Sequence, residues 1–139
     1  VFDMDGDFEI GPNVHIGVNL NGKPHLGGKK FSSASGITCN TRVMVEDCIV
    51  IGHDSIIAWD VLITDSDWHE VKGSKRTEPV FIGNNVWISH GASILKGSKI
   101  PAGCIVGAKS LVSKSFDVEN SLIAGVPAKI IKNNVEWTR

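Results

Sequence analysis

The sequence predicts an all-β protein, a parallel β-helix in which six-residue repeats follow one another along the chain. The first observation is an aliphatic column at every sixth position, namely Ile82, Ile88, Ile94, Ile100, Val106 and Val112. The second is a small residue four positions after most column residues. The third is a residue that tolerates positive φ three positions after most of them. A fixed short period with a β-branched column is typical of a solenoid, whose coils bury one another.

The companion positions predict a narrow interior and a tight corner. The residues four after the column are Val86, Ala92, Ser98, Cys104, Ser110 and Phe116, of which only the last is large. The residues three after the column are Asn85, Gly91, Gly97, Gly103, Lys109 and Ser115. The first four of these are types that accept a left-handed backbone. Three hexads per coil predict a triangular prism that rises about 4.8 Å per coil, whereas a β-sandwich predicts period two and no six-residue register.

The first half of the chain repeats the pattern less regularly. Ile51, Ile57 and Ile63 continue the column, and Asp54 and Asp60 stand at the corner position. The remaining matches are Ile10 and Ile16 with Asn13 and Asn19, and Ile37 with Asn40.

Three interruptions of the repeat are predicted to leave the prism as loops, where functional residues concentrate. The first covers Asn21 to Lys30 and is rich in Pro and Gly, and the second is a two-residue shift near Val43 to Val45. The third separates Ile63 from Ile82 by 19 residues where the period needs six, which leaves 13 extra residues.

The longest interruption opens with two carboxylates and an imidazole, in the run Asp65-Ser66-Asp67-Trp68-His69. Carboxylates beside a histidine hold it in one tautomer and raise its basicity, which suits a general base near neutral pH. The alternative for His69 is a surface histidine in a polar loop. His15, His25 and His53 are interpreted as ordinary surface histidines.

Composition predicts one domain over residues 1–139, which is large enough for a sizeable core. Because the chain begins with Val1, we expect an N-terminal segment to be missing. The chain contains no run of 18 apolar residues, so no membrane span is predicted. Its three cysteines include no CxxC pair, which fits a reducing cytoplasm rather than a disulfide framework. The net charge of −1 favours no nucleic-acid partner, but residues 96–139 carry seven basic and three acidic groups and predict an anionic ligand.

Residues 82–114 (IGNNVWISHGASILKGSKIPAGCIVGAKSLVSK) and 124–131 (AGVPAKII) resemble the hexapeptide-repeat sugar O-acetyltransferases, among them galactoside, maltose and capsular polysaccharide acetyltransferases. The resemblance implies a left-handed β-helix with a protruding loop and a short C-terminal extension. It also implies a homotrimer that binds acetyl-CoA between neighbouring chains and transfers the acetyl group to a sugar or glycan hydroxyl, without a metal.

The resemblance further assigns residues to roles. His69 matches the family's general base with an offset of one residue. Trp59, Asp65, Asp67, Trp68 and Glu46 are expected on the acceptor side, because carboxylates bind sugar hydroxyls and indoles cover pyranose faces. The expected coenzyme-binding residues are Trp87, Ser89, His90, Ala108, Ser113, Lys114, Lys129 and Lys132. Backbone N–H groups near Ser89 and His90 are expected to stabilise the developing oxyanion, although the family usually has Gly where this chain has Ser89.

Two other functions remain open at this point. A γ-type carbonic anhydrase shares the β-helix but needs three zinc-binding histidines, including a His-x4-His pair that this chain lacks. A non-catalytic hexapeptide domain predicts no coenzyme A binding. Within the enzymes, the Asp-Arg-His-Pro run of serine acetyltransferases is missing.

Overall fold

The computed structural model describes residues 3–31 and 34–139, and this part of the chain consists of short strands joined by turns. The strands are β1 (Asp3–Asp5), β2 (Glu9–Ile10), β3 (His15–Val18), β4 (Lys23–Gly27), β5 (Gly36–Ile37), β6 (Arg42–Val45), β7 (Cys48–Ile51), β8 (Ile56–Ile57), β9 (Leu62–Thr64), β10 (Val80–Ile82), β11 (Trp87–Ile88), β12 (Ser93–Ile94), β13 (Lys99–Ile100), β14 (Ile105–Val106), β15 (Leu111–Val112), β16 (Leu122–Gly125) and β17 (Ala128–Lys132). Within these residues, no helix is long and apolar enough to cross a bilayer.

From β1 to β15 every third strand joins the same sheet, so the chain winds through three sheets in turn. Sheet A has the order β1-β4-β7-β10-β13, and sheet C has the order β15-β12-β9-β6-β3. Sheet B runs β2-β5-β8-β11-β14-β16 in parallel, and β17 closes it antiparallel to β16. The three edges of the prism are called the A–B, B–C and C–A corners, after the sheets that they join. The predicted parallel β-helix of hexads is confirmed.

The predicted column forms the core from Ile37 onward, whereas Ile10 is 49% exposed on β2, the edge strand of sheet B, and Ile16 is only partly buried. Ile51, Ile82 and Ile100 are in register in sheet A, and the residues aligned in sheet C are Ile63, Ile94 and Val112. All six are at most 2% exposed. The small companions fit between the sheets, and Ser98 uses its hydroxyl to donate a 3.1 Å hydrogen bond to Val112 O. Polar side chains are therefore tolerated in the narrow interior because the backbone pairs with them.

Most predicted corner residues adopt the expected left-handed backbone. The positive φ values include those of Asn13, Asn40, Asp54, Asp60, Asn85, Gly91, Gly97, Gly103 and Lys109. Asn19 and Ser115 are not among the positive-φ residues of the described chain. Ser115 follows β15, the last strand of sheet C, where the regular repeat gives way to the C-terminal segment.

The prediction of one loop over Asn21 to Lys30 is wrong. Strand β4 occupies Lys23–Gly27, pairs with β7, and places Leu26 in the core with no exposed surface. The extra residues are divided into two shorter turns, before and after this strand. Local Pro and Gly content predicted a loop, but burial of Leu26 against Ile51 outweighs that propensity. The long excursion between β9 and β10 occurs as predicted. The two-residue shift lies later than predicted: Val43 and Val45 are buried in β6, and the turn is at Glu46 and Asp47.

Candidate active site

The long excursion, loop 65–79, leaves and re-enters the prism at the C–A corner. Its two arms pair at the base, where Ser66 and Thr77 form an antiparallel bridge and Asp67 N donates a 3.0 Å hydrogen bond to Arg76 O. Glu78 N donates to Asp65 O at 3.0 Å. His69 lies beyond these contacts, in the exposed part of the loop. The loop is therefore a short, paired projection that carries His69 away from the prism.

Asp65 does not line an open acceptor surface. Its side chain is fully buried, and its carboxylate accepts three backbone hydrogen bonds, from Glu46 N at 2.8 Å and from Asp47 N and Cys48 N at 2.7 Å each. These N–H groups belong to the two-residue turn between β6 and β7 and to Cys48, the first residue of β7. Asp65 therefore joins the loop to the preceding coil, and its predicted contact with an acceptor sugar is not supported by this geometry.

Asp67 is paired with a lysine that the sequence reasoning missed. Its Oδ2 lies 2.6 Å from Lys96 Nζ, and the same ammonium group donates to Ser74 Oγ at 3.0 Å and to Lys75 O. Only 15% of the Lys96 side chain is exposed. A signal was present in the repeat: Lys96 stands two residues after Ile94, as Asp65 stands two residues after Ile63, so both belong to the C–A corner.

Glu46 forms a second set of contacts that holds the same loop against the prism. Its Oε1 lies 2.6 Å from Arg76 Nη2, and its Oε2 accepts hydrogen bonds from Arg76 Nε at 3.3 Å and from Ser66 Oγ. The Glu46 side chain is 15% exposed. Its carboxylate therefore has structural partners on both arms of the loop, which leaves little of it for the predicted acceptor contact.

Trp68 folds back on the base of the loop. Its backbone has a φ of 62°, its N donates to Ser66 Oγ at 2.9 Å, and its indole Nε1 donates to Thr64 Oγ1 at 3.1 Å. A bulky residue rarely adopts positive φ, so these two hydrogen bonds hold a strained turn immediately before His69.

The predicted grouping of Asp65, Asp67 and His69 is not formed. Both carboxylates have other partners, and within residues 3–31 and 34–139 no hydrogen bond or ion pair involves the His69 imidazole. The ring is exposed and is available to an incoming hydroxyl. If His69 is held in one tautomer, a group outside the described residues must do so.

The B–C corner holds another set of predicted residues. The rings of Trp59 and His90 stack with a centroid distance of 5.5 Å and an interplanar angle of 28°. Ser89 N donates to Val106 O at 2.9 Å, so it is not free to stabilise an oxyanion. The N–H groups of His90 and Ala108, on adjacent coils, have no hydrogen-bond acceptor among the described residues. Of the two predicted backbone donors, only His90 therefore remains available.

The other predicted coenzyme-binding residues lie elsewhere on the prism. Ser113 and Lys114 follow β15 at the C–A corner, whereas Lys129 and Lys132 lie on β17 at the end of sheet B, and all four are exposed. Trp87 lies on β11 and is 39% exposed, and its ring is 6.0 Å from that of Trp137. One chain therefore does not bring His69 together with the residues of the B–C corner.

The described residues near loop 65–79 provide neither an activated cysteine nor a group of metal ligands. Burial, and then the nearby carboxylates of Asp47 and Asp65, raise the pKa of the Cys48 thiol, which keeps it protonated and weakly nucleophilic. In the part of the chain that is described, no three His, Cys, Asp or Glu side chains are grouped to hold a metal ion.

A cavity of about 560 Å³ lies at the A–B corner between His53, Asn84 and Trp137, and none of the predicted site residues lines it.

Comparison with known proteins identifies the family. Residues 79–114 match the family model of the bacterial transferase hexapeptide (six repeats). The chain is 35% identical over 144 residues to the putative lipopolysaccharide biosynthesis O-acetyl transferase WbbJ of Escherichia coli K12, across 92% of this chain and 72% of that protein. It is 38% identical over 130 residues to the polysialic acid O-acetyltransferase of Escherichia coli O1:K1 / APEC, across 88% of this chain and 40% of that protein.

A solved structure agrees with these relatives. The galactoside acetyltransferase in complex with coenzyme A matches with a TM-score of 0.78 at 25% identity, across 96% of this chain and 66% of that chain. The present chain thus spans from 40% to 72% of the length of these three proteins. By its repeat, its three parallel sheets and this similarity, the chain belongs to the hexapeptide-repeat O-acetyltransferases and is a left-handed parallel β-helix.

Proposed function

We propose that the protein transfers an acetyl group from acetyl-CoA to a hydroxyl of a sugar or glycan, with His69 as general base. The observation that carries this proposal is the state of His69. Its imidazole is exposed and unpaired within the described chain, on a loop that ion pairs anchor from the preceding and the following coil. The relatives named above are sugar and polysaccharide O-acetyltransferases, which supports the substrate class.

In the proposed reaction, His69 removes the proton from the acceptor hydroxyl as its oxygen attacks the thioester carbonyl. The thioester supplies an activated acyl carbon, and after the new C–O bond forms, the C–S bond breaks. The imidazolium returns its proton to the leaving sulfur, so the protein ends unchanged. The free N–H of His90 is a suitable donor to the oxyanion. Cys48, with its raised thiol pKa, plays no part as a nucleophile.

The remaining cations fit the phosphates of coenzyme A. Lys114, Lys129 and Lys132 are exposed and form no ion pair with any described residue, unlike Lys96. Lys114 Nζ lies 5.2 Å from the centroid of the Phe116 ring, a contact that does not neutralise its charge. Exposed ammonium groups without a carboxylate partner suit a diphosphate and a 3′-phosphate. We place the His90 ring and the N–H of Ala108 beside the thioester arm, and the stacked Trp59 on the acceptor side of the His90 ring.

The distribution of these residues supports a site shared between chains. Loop 65–79 projects from the C–A corner, whereas Trp59, His90 and Ala108 lie at the B–C corner. A second copy that brings its B–C corner to this loop completes the site. Such a head-to-tail contact closes into a ring, and we propose that the ring is the homotrimer that the family resemblance implies. The single core cluster from Leu26 to Ala128 supports one domain over these residues. The free thiols of the three cysteines support a reducing compartment, which we propose is the cytoplasm.

Replacement of the proposed base tests this function directly. His69→Ala should lower kcat for acetyl transfer by about 10²- to 10⁴-fold, the usual contribution of general base catalysis, with little change in the KM for acetyl-CoA. His15→Ala, an exposed histidine on β3, is the control and should retain full activity. Near-normal turnover of His69→Ala would contradict the assignment. Absence of coenzyme A binding by the wild-type protein in titration calorimetry would instead indicate a non-catalytic domain.

A further inference from the structure

Lys96 connects the two arms of loop 65–79 to the following coil. On the outgoing arm it pairs with Asp67, at 2.6 Å. On the returning arm it donates to Ser74 Oγ at 3.0 Å and to the carbonyl of Lys75. His69 lies between these two sets of contacts, so one ammonium group links the two ends of the segment that carries the imidazole.

The environment of Lys96 makes these contacts strong. The side chain is 15% exposed and that of Asp67 is 37% exposed, so the pair is partly removed from water. Removal of one partner from such a pair leaves an uncompensated charge in a poorly solvated place. The contacts also account for all three donors of the ammonium group. Lys96 is therefore not available to bind phosphate, although it contributes to the basic character of the C-terminal third.

We propose that Lys96 is a positioning residue: it holds both arms of loop 65–79 against the C–A corner and so fixes the location of His69 for proton transfer. This proposal rests on the function proposed for His69. It differs from the role of the Arg76–Glu46 pair, which ties the returning arm to the preceding coil. Catalysis by a general base depends on its location, since a displacement of about 1 Å can cost roughly 100-fold in rate.

Limited proteolysis tests the clamp without any assay of acetyl transfer. Lys72 is exposed in the loop between the two contact sets and offers a site for trypsin. Lys96→Met keeps the apolar stem and removes the charge, and it should raise the rate of cleavage after Lys72 on the order of tenfold. Lys96→Arg should cleave like the wild type. Lys99→Met, which removes an exposed lysine of β13, is the matched control and should have no effect.

A double-mutant cycle tests whether Asp67 is the partner that matters. Lys96→Met and Asp67→Asn should each accelerate cleavage, and the double variant should be no faster than the faster single variant. Additive acceleration would show that the two side chains act independently and would overturn the clamp. Unchanged cleavage in Lys96→Met would overturn it as well.

Kinetics tests the positioning of His69. Lys96→Met should lower kcat about 10- to 100-fold while the KM for acetyl-CoA stays unchanged, and Lys96→Arg should restore most of the loss. A raised KM with unchanged kcat would assign Lys96 to coenzyme binding and overturn the proposal. Faster proteolysis of Lys96→Met with unchanged kcat would also overturn it, because the loop would then be loosened without any effect on His69. If the wild-type protein transfers no acetyl group to any sugar acceptor, the proposed function fails, and proteolysis still decides whether Lys96 clamps the loop.

Discussion

Asp65 and Asp67 are two residues apart in one polar run, but they make different structural contacts. Asp65 is fully buried and accepts three backbone hydrogen bonds from the turn between β6 and β7. Asp67 is part of the surface and pairs with Lys96 across the loop. Strand β9 ends at Thr64, so Asp65 still lies against the prism, whereas Asp67 already belongs to the projecting loop. Both anchor the projection that carries His69, and neither contacts the imidazole.

The buried carboxylate should be important for stability. Asp65→Asn replaces one oxygen by an NH₂ group that faces Glu46 N in one amide orientation and the N–H groups of Asp47 and Cys48 in the other. At least one hydrogen bond is therefore lost, and the remaining ones lose their charge assistance. Since hydrogen bonds to charged groups contribute about 1.5–3 kcal/mol each, the free energy of unfolding should fall by about 3 kcal/mol in urea titrations. Asp117→Asn, at an exposed position, should change it by less than about 0.5 kcal/mol. Equal stability of Asp65→Asn and the wild type would show that the turn does not need the charge.

At the scale of the structural element, each corner needs a left-handed residue. The chain meets this need with Asn, Asp and Gly at most positions, which adopt positive φ at little cost. Lys109 is an exception among the corners between sheets B and C, with a φ of 55°. Its backbone N donates to His90 O at 2.9 Å, so the strained conformation is held by the same ladder that joins the coils.

Lys109→Asn should therefore stabilise the protein. Asparagine has a short polar side chain that tolerates the left-handed region, so the substitution should raise the free energy of unfolding by about 0.5–1 kcal/mol. Lys99→Asn is the matched control, because Lys99 lies on β13 in extended backbone, where asparagine is disfavoured and no gain is expected. Denaturant unfolding of the two variants distinguishes these outcomes. A loss of stability in Lys109→Asn would mean that the lysine side chain, and not its backbone, determines this corner.

At the scale of the whole molecule, the prism separates the residues that the proposed reaction needs. Loop 65–79 and Lys114 lie at the C–A corner, Trp59 and His90 lie at the B–C corner, and Lys129 lies on the hairpin that closes sheet B. A rigid prism cannot bring two of its edges together. The proposed activity thus requires more than one copy of the chain.

Mixing of two impaired variants, assayed at an acetyl-CoA concentration below the wild-type KM, tests this requirement. If each site combines His69 of one chain with the coenzyme-binding lysines of another, His69→Ala chains co-refolded with Lys129→Ala/Lys132→Ala chains should regain activity, because some interfaces then carry neither change. In a symmetric trimer assembled at random from equal amounts, roughly a quarter of the interfaces are intact. Sedimentation should show the trimer in each preparation. Activity no higher than the sum of the separate variants, or an active monomer, would place the whole site within one chain.

The repeat could be predicted because it is a local property. Three positions of each hexad require particular residue types, always in the same order. These are an aliphatic residue for the core, a turn-forming residue for the corner and a small residue for the narrow interior. These requirements recur wherever the prism continues, and they can be recognised without knowledge of partners far along the chain. The long excursion could be predicted for the same reason, since the 13 extra residues have no place in a coil.

The sequence by itself determined the winding of the chain and the place of its longest projection. Only the tertiary structure decided what the polar residues of that projection contact. Asp65 meets Cys48, Arg76 meets Glu46 and Asp67 meets Lys96 across 17 to 30 positions, and the repeat indicates a shared corner but not which side chains pair there. The tertiary structure also made β4 a strand, since burial of Leu26 is a gain that local Pro and Gly content does not reveal. Close packing between coils brings these distant groups together, and the choice among alternative ion pairs depends on that proximity.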